Sequence, residues 1–218
     1  MRRTSTDTVY EKLHEDIVAL RLLPGTKLSE TDVASQFGVS RQPVRNAFTR
    51  LGNEDLLLIR PQKATVVRGF SMERISVARL VRLAVELEVV YRAMQIWTPE
   101  CTAQLENSVA QQERALSDGD VSAFHDLDFD FHKLIYDLSE CPLAFDVTTD
   151  CKQKIDRLCV LSLGKNSELE SILADHRAII KGLASGDLEK AQAAVRQHLS
   201  RLDDTIAFLH KTHPHYFE

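Results

Sequence analysis

Gly38-Val39-Ser40-Arg41-Gln42-Pro43-Val44-Arg45-Asn46-Ala47-Phe48, written GVSRQPVRNAF, reads as the start of a short helix with one dry face and one basic face. Val44, Phe48 and Leu51 recur at helical spacing and turn inward. Pro43 lies in the first turn, where a missing N–H costs little. Ser40 precedes it as an N-cap residue, a position where a hydroxyl can accept a first-turn N–H. Arg41, Gln42, Arg45, Asn46 and Thr49 are left facing out. Arg and Gln are the side chains that best match base edges, Arg as a bidentate donor to guanine.

Outward from this stretch, the first 70 residues read as three helices and an extended hairpin. A first helix spans about 6–22, with Val9, Leu13, Ile17 and Leu20 as its apolar stripe. Leu23-Pro24-Gly25-Thr26 is a turn. Ser29 caps a second short helix holding Val33, Ala34 and Phe37, and Gly38 ends it. Two helices joined by a tight Gly-containing turn make a helix-turn-helix. The runs Leu56–Ile59 and Ala64–Val67 flank Arg60-Pro61-Gln62-Lys63, which is a hairpin with a basic tip, a wing beside the recognition helix.

The chain of 218 residues has room for two modest domains, and its 44% hydrophobic and 27% charged content is that of a globular protein. No run approaches the roughly 20 apolar residues of a membrane helix. The start of the chain is basic without an apolar segment behind it, unlike a signal peptide. Cys101, Cys141, Cys151 and Cys159 show no CxxC spacing, which fits reduced cysteines in a cytoplasmic protein. Residues 1–70 carry 11 Lys+Arg against 8 Asp+Glu, giving +3; the rest carries 16 against 24, giving −8. A basic head on an acidic body suits a nucleic-acid-binding module joined to something else.

From Ser71 onward the pattern is helical, with six helices expected at about 71–97, 99–117, 120–139, 142–163, 167–185 and 187–210. Pro99, Asp118-Gly119-Asp120, Cys141-Pro142, Gly164-Lys165-Asn166 and Ser185-Gly186-Asp187 mark the breaks. The fold class is therefore mainly α: a winged helix-turn-helix over 1–70 and an antiparallel six-helix bundle over 71–218.

Four bundle residues interrupt apolar stripes. Asp128 and His132 lie one turn apart on a stripe of Val121, Phe124, Leu127, Phe131, Ile135 and Leu138. His176 falls among Leu169, Ile172, Ile179, Ile180 and Leu183. His198 falls among Ala191, Ala194, Val195, Leu202, Ile206 and Leu209. A lone inward histidine is usually a hydrogen-bonded core residue. Three imidazoles and a carboxylate together suit Zn, Ni, Mn or Fe as the divalent ion, with positions left for water or a ligand's oxygens. His125 lies off the stripe, and the His213 and His215 pair falls in a tail where disorder is the default.

LSETDVASQFGVSRQPVRNAFTRL followed by LLLIRPQKATVV resembles the winged helix-turn-helix of GntR-type bacterial transcription regulators. The bundle, with DFDFH, DHRAII and VRQHL, resembles the FCD domain of the FadR subfamily, in its shorter VanR-like branch. The resemblance covers almost the whole chain. It implies a homodimeric, ligand-responsive regulator, most simply a repressor, that binds palindromic double-stranded operator DNA and answers to a small organic acid effector. By resemblance, Ser40, Arg41, Gln42 and Arg45 match DNA-contacting positions, Gln62 and Lys63 match the wing tip, and Asp128, His132, His176 and His198 match metal ligands. Arg82 matches an arginine beside the effector; read from the residues alone, Arg82 and Glu86 equally form an i, i+4 pair on a solvated helix face. Three positions depart from the family pattern: Asn46 for a frequent Glu, Asp55 for a Gly before the wing, and Ala64 for a wing Gly.

The same residues admit other readings. A metal-dependent hydrolase would use the open positions to activate water, although no Glu, Ser or Cys near the cluster has the spacing of a dedicated base or nucleophile. A regulator that senses the ion itself is a second reading, and a metal-free polar network in the core that needs no ligand is a third.

Overall fold

The computed structural model describes residues 3–162 and 166–218. The break expected at Gly164 and Lys165, and the side chain of Cys159, lie outside the described residues. The chain divides into two compact units. The first is Met1–Glu73 with Asp156–Leu161 and Phe208–Glu218; the second is Arg74–Ile155 with Ser162–Ala207.

In the first unit, helix α1 (Ser5–Val18) opens on a capping box, in which the Thr4 hydroxyl accepts the Asp7 N–H and the Asp7 carboxylate accepts the Thr4 N–H. Val9, Leu13 and Ile17 are buried, but the helix stops at Val18, and Leu20 lies beyond it with φ 54°. A strand that the sequence did not suggest follows, β1 (Lys27–Leu28). Helix α2 (Glu30–Phe37) is capped by Ser29, whose hydroxyl accepts the Asp32 N–H, and ends at Gly38 with φ 63°, a conformation glycine adopts without penalty.

Helix α3 (Arg41–Asn53) starts at once and buries Val44, Ala47, Phe48 and Leu51 against α1 and α2. Ser40 occupies its N-cap, but its hydroxyl makes no capping bond, contrary to the sequence reading. Strands β2 (Leu57–Leu58) and β3 (Thr65–Val67) pair antiparallel, with Leu57 opposite Val67. Strand β1 pairs with the other edge of β3, giving the order β1-β3-β2. The hairpin tip closes by a bond from the Lys63 N–H to the Arg60 carbonyl, and Gln62 has φ 57°. Pro at the second position and left-handed backbone at the third is the pattern of a type II turn. Asp55 has φ 60°, which explains why a glycine suits this place, and Arg68 holds its carboxylate at 2.8 Å.

The second unit holds most of α4 (Met72–Gln95), all of α5 (Pro99–Ser117) and α6 (Val121–Leu138), most of α7 (Pro142–Ser162), all of α8 (Asn166–Ser185) and most of α9 (Leu188–Thr212). Gly119 and Gly186, with φ 72° and 68°, turn the chain between helices. Its core includes Val89, Leu105, Phe124, Phe131, Ile179, Leu183 and Val195, and α5 packs on both α6 and α8. None of the described helices is long and apolar enough to cross a membrane. Cys101, Cys141 and Cys151 are free thiols. The last eleven residues belong to the first unit. There a short 3-10 turn (Pro214–Tyr216) brings the Tyr216 carbonyl to the Phe70 N–H at 2.7 Å and the Glu218 N–H to the Phe70 carbonyl at 2.8 Å. The tail expected to be disordered is thus held by main-chain bonds.

Gly182 sets the approach of α8 to α9. A Cβ built there would lie 2.5 Å from the Ala191 Cα and 2.7 Å from its amide nitrogen, so the two helices touch backbone to backbone. Gly182→Ala is expected to destabilise the protein by about 1–3 kcal/mol, the usual range for overpacking. Urea unfolding followed by circular dichroism checks this; an unchanged midpoint would show that the helices separate freely.

Candidate metal centre and nucleic-acid face

Asp128, His132, His176 and His198 each offer one ligand atom, and these atoms all lie within 4.8 Å of one another. Asp128 and His132 are one turn apart on α6, so both project toward the same point. His176 comes from α8, is 0% exposed, and stacks on Phe131 with ring centroids 3.9 Å apart. His198 comes from α9, whose close approach to α8 is the one that Gly182 permits.

The imidazoles share an orientation. His176 Nδ1 is 2.8 Å from Gln112 Oε1, His132 Nδ1 is 3.5 Å from Glu86 Oε2, and His198 Nδ1 points toward Asp175 Oδ2 at 3.8 Å, too far for a hydrogen bond. Their Nε2 atoms face inward. His132 Nε2 lies 3.0 Å from His198 Nε2, and His176 Nε2 lies 3.4 Å from Asp128 Oδ1. With the protons on Nδ1, the tautomer a metal at this point requires, the Nε2 lone pairs would converge on one point. Burial lowers the pKa of all three rings, so each is neutral near pH 7, the form that ligates a metal. His176 Nε2 is buried and makes no hydrogen bond among the described residues. Such an orphaned acceptor is costly in a dry interior. A cation at the point of convergence would satisfy it. Ligand distances of about 2.0–2.2 Å place donor atoms up to roughly 4.2 Å apart, which small side-chain rotations reach from the present spread. The residues fit an ion.

Around these four stand Arg82, which the resemblance placed beside the effector, and Glu86, Gln112 and Asp175, which sequence reading did not assign to the centre. Arg82 and Glu86 are 7% and 6% exposed, so the solvated-face reading of that pair does not hold. Arg82 Nε donates to Glu86 Oε1 at 2.6 Å, and Arg82 Nη2 lies 3.5 Å from His132 Nε2. Burial alone would raise the Glu86 carboxyl; Arg82 and His132 outweigh it and hold the group below the usual carboxylate range. Burial likewise raises Asp175, but bonds from Arg201 and the neighbouring His198 bring it down to about 2. One signal was available for Arg82 and Glu86: they fall in step with Ile75, Ala78, Val89 and Ala93 on the buried stripe of α4. Gln112 and Asp175 carried none.

Ser40, Arg41, Gln42 and Arg45 are exposed at the start of α3, and Gln62 and Lys63 are exposed at the hairpin tip. Gln42 Nε2 donates to Asn46 Oδ1 at 3.0 Å. Arg45 is held by Glu30 through two bonds, Nε to Oε1 at 3.1 Å and Nη2 to Oε2 at 2.9 Å. Arg41 Nη2 reaches the same carboxylate at 3.4 Å. The Arg45 bond is the main cause of a lowered Glu30 pKa. Glu30 was legible only as an acidic residue in the first turn of α2, where the helix dipole favours negative charge.

Comparison with known proteins agrees with this architecture. Residues 79–201 match the FCD domain family, and residues 5–67 match the family described as bacterial regulatory proteins, gntR family. The HTH-type transcriptional repressor RspR of Escherichia coli (strain K12) is 34% identical over 209 residues, covering 96% of this chain and 92% of that protein. The gluconate operon transcriptional repressor of Bacillus subtilis (strain 168) is 24% identical over 208 residues, covering 93% and 85%. Among solved structures, E. coli McbR/YncC shares the fold with a TM-score of 0.69 at 22% identity, over 95% of this chain and 98% of that one. Lar, which controls expression of the Listeria monocytogenes agr system, gives a TM-score of 0.69 at 19% identity, over 96% and 99%.

Proposed function

The chain belongs to the GntR family of bacterial regulatory proteins and carries an FCD domain, and from this premise we propose that it is a dimeric transcriptional repressor whose helical unit takes a small organic acid at a divalent metal. The regulator reading rests on the family; the metal-assisted effector rests on one observation, the convergence of three Nε2 atoms and Asp128 with every Nδ1 turned toward an acceptor. The hydrolase reading loses its ground, because the family and the named relatives are transcription regulators.

In this reading Asp128, His132, His176 and His198 hold Zn, Ni, Mn or Fe, which, when bound, supplies a Lewis-acidic position for a carboxylate. Gln112 orients the His176 ring by a hydrogen bond, and the Glu86 and Asp175 carboxylates stand beside the Nδ1 atoms of His132 and His198. Arg82 sits against the inner edge of His132 and supplies a second positive charge for the acid. Arg41, Gln42 and Arg45 read a major groove, Ser40 lies at the helix start against the backbone, and Gln62 and Lys63 reach the DNA beside it. Two copies related by a dimer axis read an inverted repeat with half-sites about one helical turn apart. The effector acts by differential affinity for the DNA-bound and free arrangements of the dimer.

The test starts by enriching duplexes from a random pool with the zinc-loaded protein. The expected product is an inverted repeat. Fluorescence anisotropy on that duplex then follows small organic acids, with and without chelator. One class of acid is expected to change DNA affinity by about 5–150-fold, the usual range of allosteric coupling, and only in the metal-loaded protein. A switch produced by zinc alone would make the ion the signal. A product without inverted symmetry would remove the dimeric reading.

A further inference from the structure

A cavity of about 390 Å³ opens between α4 and α9, a volume in the range of small-molecule sites. Arg82 lines this cavity and neighbours the four-residue centre, its Nη2 lying 3.5 Å from His132 Nε2; the four residues of the centre are not themselves in the cavity wall. Arg79 and Arg196 line the cavity as well, and Asp203 is the acidic residue of its wall. Arg82 is already balanced by the buried Glu86. Arg79 is paired with Asp203, so the positive charge in excess of these two pairs stands at Arg196, and the Arg79–Asp203 pair lies nearer solvent, with 33% of the Arg79 side chain exposed against 9% for Arg82.

We propose that this cavity is a second anionic subsite and that the effector is a diacid, one carboxylate meeting Arg82 and the divalent ion that Asp128, His132, His176 and His198 would hold, the other meeting Arg79 and Arg196. This rests on the effector reading above and narrows its chemistry. Arg79 and Arg82 are three residues apart on α4, which places them about 4.5 Å apart along the helix axis. Two carboxylates at that spacing belong to acids of about four to six carbons, given bond lengths that extend a chain by little over an ångström per carbon. Leu83 and Leu199 line the same cavity and suit the intervening methylenes. Asp203 pairs with Arg79 in the structure. Its carboxylate stands in for the far end of the ligand and marks where that end would dock. A monoacid would set its apolar tail against the Arg79–Asp203 pair and Arg196 and leave the Arg196 charge without a partner from the ligand, a poor exchange for groups that hydrogen-bond strongly to water.

Isothermal titration of the zinc-loaded full chain with succinate, glutarate and adipate, against butyrate and valerate, tests this. At least one diacid is expected to bind about tenfold or more tightly than the monoacid of equal length, the worth of an added charge-assisted bond. Arg79→Gln, at a part-exposed position, is expected to reduce that preference to within about twofold without weakening the monoacid, because the lost bond is the one only the diacid makes. Asp203→Asn is expected to tighten the diacid, since it removes the competing carboxylate, and it guards against a folding defect in the first variant. Equal binding of monoacids and diacids, or a preference unchanged in both variants, overturns the subsite and leaves the metal-bound monoacid standing. If no acid of either kind binds the zinc-loaded protein, the subsite and the effector reading fall together.

Discussion

His176→Ala is expected to remove the thermal stabilisation that metal gives the protein. At a free metal concentration of one hundred times Kd, a single site binding only the folded state contributes about 2.7 kcal/mol. For a chain of this size that corresponds to a rise of roughly 5–10 °C in Tm. The variant is expected to show none of it. His176 is the strongest choice because it has no solvent route: it is 0% exposed, its Nδ1 is fixed by Gln112, and its Nε2 makes no hydrogen bond among the described residues. Alanine also leaves a hole against Phe131, so the variant without metal will itself melt lower by the several kcal/mol typical of buried truncations. The informative quantity is the difference between zinc-loaded and chelated samples of each protein, read by calorimetry. Gln112→Met gives an intermediate case. It keeps the volume and removes the acceptor that orients His176, and metal affinity is expected to fall about 10–100-fold. A full zinc-dependent shift in His176→Ala would take His176 out of the ligand set.

What could be read from the sequence depended on how local its cause is. The helix-turn-helix was legible because Gly38, Ser29 and the 44, 48, 51 spacing act within a few residues of themselves. β1 was not legible: two residues show no alternation, and the strand exists only because β3 lies beside it. The tail pairing at Phe70 failed for the same reason, since its partner is almost 150 residues away in sequence. Asp128, His132, His176 and His198 stood out because each breaks an apolar stripe. Arg82 and Glu86 break one too, but opposite charges at i, i+4 look the same on a wet face as in a core. Gln112 and Asp175 are ordinary polar residues until the fold places an imidazole nitrogen against them.

Arg45→Ala is expected to weaken binding to the enriched duplex by about 1–3 kcal/mol, roughly 5–150-fold, with relaxed preference at the base pair it reads. The structure adds a condition. Glu30 occupies Nε and Nη2 of Arg45, so the guanidinium meets DNA with its Nη1 side while its plane is fixed. Fixing that plane before contact lowers the ordering cost of the specific complex. The same carboxylate, close to the DNA-facing surface, repels phosphates and weakens non-specific binding. Glu30→Gln is therefore expected to act in two directions, raising affinity for a scrambled duplex while reducing the ratio of specific to scrambled binding. Arg45→Ala should then matter less in the Glu30→Gln background, a coupling that a double-mutant cycle measures. Anisotropy titrations on both duplexes at several salt concentrations separate the outcomes. If Arg45→Ala lowers affinity uniformly and reduces the salt slope by about one, Arg45 is a phosphate contact. If it loses preference at one base pair with the slope nearly unchanged, it reads that base. If Glu30→Gln leaves the ratio as it was, Arg45 is oriented by the DNA alone.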